Sequence, residues 1–341
     1  MLNGKSILIT GGTGSFGKAF TEYLLTHYTP KRIVVYSRDE FKQDVMRTDM
    51  SLKFGDKAIV MRYFIGDVRD KDRLYRAFNG IDFVIHAAAL KQVPACEYNP
   101  FEAIKTNIHG AQNVIDAALD REVAKVVALS TDKAVNPINL YGGTKLVSDK
   151  LFVSANAYSG GKGAKFAVVR YGNVAGSRGS VIPFFKKLID AGEKTLPITD
   201  VEMTRFWITL EEGVALVVKA IEESRGGEVY ISKIPSFRVT DLAEAMLPNC
   251  GINVIGIREG EKLHEVMVTK DDSRTTHEYE KHYIIYPHYT WWNEGKVLPG
   301  GIPVAKGFEY NSGTNSEWLS VEALRNRISQ LNFVERRKGQ I

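Results

Sequence analysis

A short apolar run, Ser6-Ile-Leu-Ile-Thr10, leads directly into Gly11-Gly12-Thr13-Gly14-Ser15-Phe16-Gly17 and then into the helical pattern Lys18-Ala-Phe-Thr-Glu-Tyr-Leu-Leu. Gly12, Gly14 and Gly17 fit G-x-G-x-x-G, and Gly11, Gly14 and Gly17 fit G-x-x-G-x-x-G. Glycines at such spacing serve three needs: a tight turn, close approach of backbone to a pyrophosphate, and packing of a helix onto a strand. The helix N-terminus supplies amides for the anion. The ligand expected here is a dinucleotide, held by Gly11, Thr13, Gly14, Ser15, Phe16 and Gly17. The fold expected around it is α/β, a Rossmann-type doubly wound parallel sheet with a smaller α/β substrate-binding domain.

Composition sets the outer limits. At 341 residues, 44% hydrophobic and 25% charged, the chain has room for one large domain and a smaller one. Its net charge of +5 comes from Lys and Arg scattered among acids, so no basic stripe suited to nucleic acid is expected. No apolar run approaches the roughly 20 residues that span a bilayer. Met1 to Lys5 leads straight into a strand rather than a signal peptide, so a cytoplasmic protein without a membrane span is expected. Cys96 and Cys250 belong to no C-x-x-C or Cys/His cluster, which argues against a disulfide or a metal site.

Three further strand ends are expected to complete the cofactor site. The strand Arg32–Tyr36 ends in Ser37-Arg38-Asp39-Glu40. Arg38 stands where it meets a 2′-phosphate, Lys42 follows one turn later, and Ser37 opens a Ser-x-x-Glu capping box whose amides also suit an anion. This favours NADP; the alternative is that Arg38 is solvated and Asp39 takes an NAD ribose. Asp67 ends the next strand, either accepting from an adenine amino group with Val68 against the ring, or capping the helix from Asp70 to Phe78. Ala87, Ala88 and Ala89 follow the buried Phe83–His86 run and leave room for cofactor, whereas His86 itself reads as a hydrogen-bonded core residue. Asn107, inside the helical stretch 101–119, is placed to fix backbone or a water near the catalytic loop.

The chemistry concentrates between Ser130 and Lys145. Val126 to Leu129 reads as a buried strand, so Thr131, Asp132 and Lys133 fall at its carboxyl end, where ligands of open α/β sheets bind. Pro137 and Asn139 mark a loop. Tyr141 and Lys145 then stand four residues apart at the start of a helical pattern, Gly143 to Ala157, so that they share a face and Lys145 can lower the pKa of the phenol. Asp132 with Lys133 alternatively reads as a surface ion pair at a helix start.

The glycine loop, Asp67-Val68 and Tyr141-Gly-Gly-Thr-Lys145 together resemble the extended short-chain dehydrogenase/reductases, most of which modify nucleotide sugars. More specifically, Tyr36–Glu40, Ile85–Lys91, Ser130–Lys133, Arg170–Asn173, Gly176–Pro183, Met203–Trp207 and Gly260–Glu265 resemble the inverting UDP-N-acetylglucosamine 4,6-dehydratases that open the route to pseudaminic acid. The likeness covers nearly the whole chain. Capsule-type dehydratase/epimerases are similar too, but commonly lack the tyrosine that is present here as Tyr141. UDP-sugar 4-epimerases share tyrosine and cofactor, yet have no use for an acid and a base near C5 and C6.

That resemblance implies roles. Tyr141, helped by Lys145, takes the O4 proton while NADP, tightly bound and recycled, takes the C4 hydride; Thr131 holds the same oxygen. Lys133 removes the C5 proton and Asp132 protonates the departing 6-hydroxyl. It further implies a cofactor domain over residues 1–170 and a UDP-sugar domain over 171–341, with chain crossings between them. Substrate contacts are assigned to Lys91, Thr131, Tyr141, Asn173, Val181, Pro183, Arg205, Arg258 and Glu261, with the two arginines on the pyrophosphate and Glu261 on the uridine ribose. Met203, Phe206 and Trp207 read as core. The family forms homo-oligomers, dimers or hexamers.

Overall fold

The computed structural model describes residues 1–160, 163–176, 180–292 and 294–331. The chain divides into two compact units and crosses between them repeatedly: Met1–Tyr171, Leu210–Lys233 and Met267–Glu309 form the first; Gly172–Thr209, Ile234–Val266 and the chain from Tyr310 on form the second. The expected division after residue 170 therefore meets a chain in which 210–233 and 267–309 pack with the first unit.

The first unit opens with β1 Ser6–Thr10, α1 Ser15–His27, β2 Arg32–Ser37, α2 Glu40–Phe54, β3 Met61–Ile65, α3 Lys71–Ala77, β4 Phe83–His86 and the short α4 Val93–Tyr98. The helical stretch expected at 101–119 is α5 Pro100–Ile104, one π turn Lys105–His109 and α6 Gly110–Asp120 in succession. Then come β5 Lys125–Thr131, a 3-10 turn Asp132–Ala134, α7 Leu140–Tyr158 and β6 Lys165–Tyr171. β1 and β4 are wholly buried, as strands covered on both faces by helices must be. α6 packs between α3 and α7 on the sheet, and α1 against the later helix of 210–223.

In the second unit the chain forms α8 Val181–Asp190, β7 Thr195–Ile198 and β8 Thr204–Phe206, then returns to the first for α9 Leu210–Glu223 and β9 Val229–Ser232. β10 Ser236–Arg238, α10 Val239–Met246 and β11 Gly251–Val254 belong to the second unit; β12 Val266–Val268 lies at the changeover; β13 Thr276–Glu278, β14 His282–Ile285 and β15 Ile302–Pro303 belong to the first; β16 Tyr310–Asn311 and α11 Val321–Ser329 end the second. The first unit's sheet runs β15-β13-β14-β9-β6-β5-β4-β1-β2-β3. From β9 to β3 every pairing is parallel, while β14, β13 and β15 add an antiparallel extension. The strand order reverses between β1 and β4, the switch point at which open α/β sheets bind ligands.

The second unit pairs β10 with β8 antiparallel and β11 with β7 parallel. Its core gathers Ile182, Phe185, Leu196, Met203, Trp207, Phe237 and Leu242. Met203, Phe206 and Trp207 are buried, as core residues should be.

Candidate active site

The glycine loop is shaped by what lies behind it. Gly11 adopts φ +65°, and a Cβ there would stand 2.9 Å from the Ala88 backbone. A Cβ on Gly17 would stand 2.3 Å from the Gly12 carbonyl oxygen, so this glycine exists for the close packing of α1 on the turn. Gly14 is the N-cap of α1, no side chain caps it, and a Cβ there would meet only the Gly11 oxygen, at 3.1 Å. The front of the loop is thus open backbone at a helix N-terminus, a cradle suited to a pyrophosphate. Thr13 is buried, Ser15 exposed, and half-buried Phe16 stacks on Phe20 and Tyr171.

At the end of β2 the structure corrects the expected capping box. The strand runs on through Ser37, so α2 begins later and its N-cap is Asp39, whose carboxylate accepts from the Lys42 amide at 2.9 Å. The Ser37 hydroxyl is buried and accepts from Gln43 Nε2. Arg38 lies 3.7 Å from Asp67, and Lys42 lies 2.7 Å from Asp39. Of the two readings of Asp67, the helix cap falls away, because Asp70 caps α3. Asp67 instead accepts from the amide, Nε and Nη2 of Arg69. Val68 is buried and packs on Gly110 of α6.

Beyond β4, His86 is the hydrogen-bonded core residue expected. Its Nδ1 lies 2.9 Å from the Thr10 hydroxyl, and burial, with the Lys145 charge, pushes its pKa down to about 3, so the ring is neutral. The Ala87 and Ala88 amides also face the Thr10 oxygen, and Ala89 is exposed. Asn107 fixes backbone: Oδ1 accepts from the Leu90 amide, and Nδ2 donates to the Leu90 carbonyl and the Thr144 hydroxyl. It does so from within the π turn Lys105–His109. Lys91 is exposed along the chain, yet desolvation of its ammonium and the Lys133 charge lower its pKa.

The end of β5 and the start of α7 bring the chemistry together. Asn139 caps α7 by accepting from the Gly142 amide at 2.7 Å, which starts the helix at Leu140, ahead of the expected Gly143, and sets Tyr141 in its first turn. Glu97 of α4 accepts from the Leu140 amide. Asp132 is 1% exposed: Oδ1 accepts from the Thr131 hydroxyl at 2.9 Å and from Lys133 Nζ at 3.1 Å, while buried Oδ2 has no protein partner. This pair is no surface ion pair. Burial pushes the Tyr141 phenol up to about 12, against the pull of the Lys133 charge and a hydrogen bond with Thr131. Lys133, at the strand end, is the cation with the largest pull on the phenol. Lys145 is buried, and that burial lowers its pKa while Asp149 raises it.

Asp149, Arg170 and Ser130 are functional candidates that received no role above. Asp149 accepts from the Ser130 hydroxyl at 2.6 Å and faces Arg170 Nη2 at 3.6 Å. The available signal was spacing: Tyr141, Lys145 and Asp149 recur every four residues on one helix face.

Within the second unit, Arg205 is buried. Nη1 donates to the Thr204 and Leu263 carbonyls, Nη2 lies 3.5 Å from Glu261, and Nε lies 3.7 Å from Glu265. Arg205 and Glu261 are brought together, and Arg258 is exposed. Val181 and Pro183 open α8, and Asn173 is exposed beside the Val174–Ile208 bridge. Of the segment Gly176–Pro183, residues 177–179 lie outside the described residues. Among the described residues no group of His, Cys, Asp and Glu suits a metal, both cysteines are free, and no helix is long and apolar enough to cross a membrane.

Residues 7–287 match the model of a family described as polysaccharide biosynthesis protein. The chain belongs to that family. Among its relatives, a Campylobacter jejuni subsp. jejuni serotype O:23/36 (strain 81-176) protein named UDP-N-acetylglucosamine 4,6-dehydratase (inverting) is 56% identical over 335 residues, 96% of this chain and 98% of the other. A Rickettsia canadensis (strain McKiel) protein named UDP-glucose 4-epimerase is 39% identical over 338 residues, 97% of each chain. The X-ray structure of Pen from Bacillus thuringiensis superposes with a TM-score of 0.86 at 40% identity, covering 96% of this chain and 98% of that one. The family resemblance and the fold expected from the motifs are therefore borne out.

Proposed function

We propose that this chain is a 5-inverting UDP-N-acetylglucosamine 4,6-dehydratase that converts its substrate to UDP-2-acetamido-2,6-dideoxy-β-L-arabino-hex-4-ulose with NADP as resident cofactor. The observation that carries this reading is the Asp132–Lys133 pair at the end of β5, beside a phenol sensitive to the Lys133 charge. An epimerase needs the phenol alone; an acid and a base together serve elimination. The 56% identical relative supports the same choice over the 39% identical one named as an epimerase.

Gly11, Gly12, Gly14 and Gly17 fit the cofactor's pyrophosphate, since open backbone lies at the loop front and side chains are excluded behind it. When bound, the nicotinamide supplies the redox chemistry, taking a hydride from C4 and giving it back at C6. Arg38 is the residue for a 2′-phosphate: its 3.7 Å contact with Asp67 is loose and its side chain 56% exposed, so the guanidinium is free to turn to a stronger anion. Ser37, whose hydroxyl accepts from Gln43 Nε2 and keeps its own proton to donate, stands beside it.

Tyr141 takes the O4 proton and Thr131 holds that oxygen. Oxidation at C4 acidifies C5. One proton passing across the 3.1 Å contact from Lys133 to Asp132 leaves a neutral base beside a neutral acid. Lys133 then removes the C5 proton and Asp132 protonates the departing 6-hydroxyl, so the pair starts and ends with the same total charge. C5 is reprotonated from the opposite face. Lys91, Asn173, Val181, Pro183, Arg205, Arg258 and Glu261 are the proposed substrate contacts, the second unit being the proposed UDP-sugar domain. The enzyme is a cytoplasmic homo-oligomer supplying pseudaminic acid biosynthesis.

Proton NMR of UDP-N-acetylglucosamine with the purified protein in D2O, without added acceptor, tests the reading. Loss of the hydroxymethyl signals, a new 6-methyl group and deuterium at C5 with L-arabino couplings are expected. A retained hydroxymethyl group with inverted C4 would establish an epimerase instead.

A further inference from the structure

The strand ends that hold Arg38 and Asp67 carry a third charge, Arg69, to which the proposed reaction gives no task. β2 and β3 run side by side with Ser37 opposite Ile65, so Arg38 follows one strand and Asp67 the other. Asp67 accepts three bonds from Arg69: Oδ1 from the amide at 2.9 Å, and Oδ2 from Nε at 3.0 Å and Nη2 at 2.7 Å. The far side of the guanidinium is tied down as well. Nη1 donates to Glu102 of α5 at 2.6 Å, and Lys105 donates to the other Glu102 oxygen at 3.0 Å. The backbone beneath is pinned by Asn113 of α6, which donates to the Val68 and Arg69 carbonyls, and by the Tyr36 hydroxyl, which donates to the Asp67 carbonyl at 2.8 Å. Arg38 holds Asp67 Oδ2 loosely by comparison, at 3.7 Å.

A carboxylate beside Arg38 works against a 2′-phosphate in two ways. It competes for the guanidinium, and it repels the phosphate directly. We propose that Arg69 is a specificity-determining residue that masks Asp67, so that Arg38 stays open to a 2′-phosphate and no bare negative charge faces it. Arg38, Asp67 and Arg69 together carry one net positive charge, whereas Arg38 and Asp67 alone are neutral as a pair. Burial raises the Asp67 carboxyl, but the bonds and charge of Arg69, with the charge of Arg38, hold it below the usual carboxylate range, so there is a charge to mask. Isolated surface pairs contribute little, but here the guanidinium meets its carboxylate through Nε and Nη2 together and is anchored again on Glu102.

The assignment rests on the NADP reading, and the test separates the two. Loaded protein is equilibrated with NADP and NAD together at a fixed ratio and filtered free of unbound cofactor. Mass spectrometry of what remains bound then gives the ratio of the two affinities. Contacts common to both cofactors, any adenine contact of Asp67 included, cancel in that ratio. Arg69→Met, which keeps the apolar stem and removes the fork, is expected to lower the preference for NADP by about tenfold, the scale of one unit charge acting over a few ångströms near a protein surface. The loss shrinks at high salt, which screens the unmasked charge. Arg69→Lys, a point charge without the fork, is expected to fall between. Asp67→Asn added to Arg69→Met removes the charge that needed masking and is expected to return the preference to near its wild-type value.

A wild type without preference for NADP overturns the cofactor reading and this proposal with it. A wild type that prefers NADP, with an Arg69→Met protein that keeps the full preference, overturns this proposal alone. So does a preference that Arg69→Met loses and Asp67→Asn does not bring back, which would make Arg69 a direct ligand of the phosphate. If Arg69→Met does not fold, Arg69→Lys with and without Asp67→Asn decides in the same way.

Discussion

Tyr141 and Lys133 are coupled through charge. Burial holds the phenol at about 12, and the Lys133 ammonium pulls it back. A base must lose its proton to work, so activity in the first oxidation rises with pH toward the phenol's pKa. Replacing Lys133 by Met removes the positive charge, raises that pKa and moves the acid limb to higher pH. The same variant lacks the proposed C5 base, so near-ultraviolet absorbance of reduced nicotinamide is expected to accumulate without methyl-group formation. If Lys133→Met forms the 6-methyl group at the wild-type rate, its role as base is wrong. Tyr141→Phe is expected to lower kcat by about 10² to 10⁴ at every pH, the usual worth of a positioned general base.

The elements are set by a few local devices whose removal has calculable effects. Asn139 caps α7 just before Tyr141, and Asn139→Ala is expected to cost about 1 kcal/mol in urea unfolding, with a larger loss of kcat than of substrate affinity because the first turn carries the phenol. A methyl group at residue 17 would need to enter the space of the Gly12 carbonyl, so Gly17→Ala is expected to destabilise by about 1–3 kcal/mol and to release cofactor on dialysis. At the end of β2, Arg38→Ala is expected to weaken binding of NADP far more than of NAD, measured by calorimetry. Equal weakening of the two would remove Arg38 from the 2′-phosphate.

On the scale of the whole molecule, the proposed reaction is redox-neutral. Deuterium placed at C4 of the sugar is expected in the 6-methyl group of the same molecule, and mixing labelled with unlabelled substrate is expected to give no crossover by mass spectrometry. Crossover would mean that the reduced cofactor or the enone leaves between steps. The fold is built from five chain segments besides the opening one, because the chain passes between the units after Tyr171, Thr209, Lys233, Val266 and Glu309.

Legibility followed range. The glycine loop, the Tyr141–Lys145 pair and the Asp132–Lys133 turn were readable because each depends on spacing within one turn or one strand end, and local sterics decide them. Ser37 was misread as a cap because nothing nearby shows that β2 continues one residue further; its pairing with β3 decides that. Asp67 was open between two roles until α3 took Asp70 as its cap. Asp149 could be placed on the helix face by counting, but its meaning depends on Ser130 and Arg170 from neighbouring strands of the sheet. The meeting of Arg205 with Glu261 and Glu265, and the return of 210–233 and 267–309 to the first sheet, are likewise products of the tertiary structure. By itself the sequence determined the glycine loop and the Rossmann-type sheet, since hydrophobic periodicity and glycine sterics act over a few residues. Only the folded chain decided which charges pair, which are buried and which remain open, because desolvation and Coulomb energy depend on neighbours that the chain brings from far along its length.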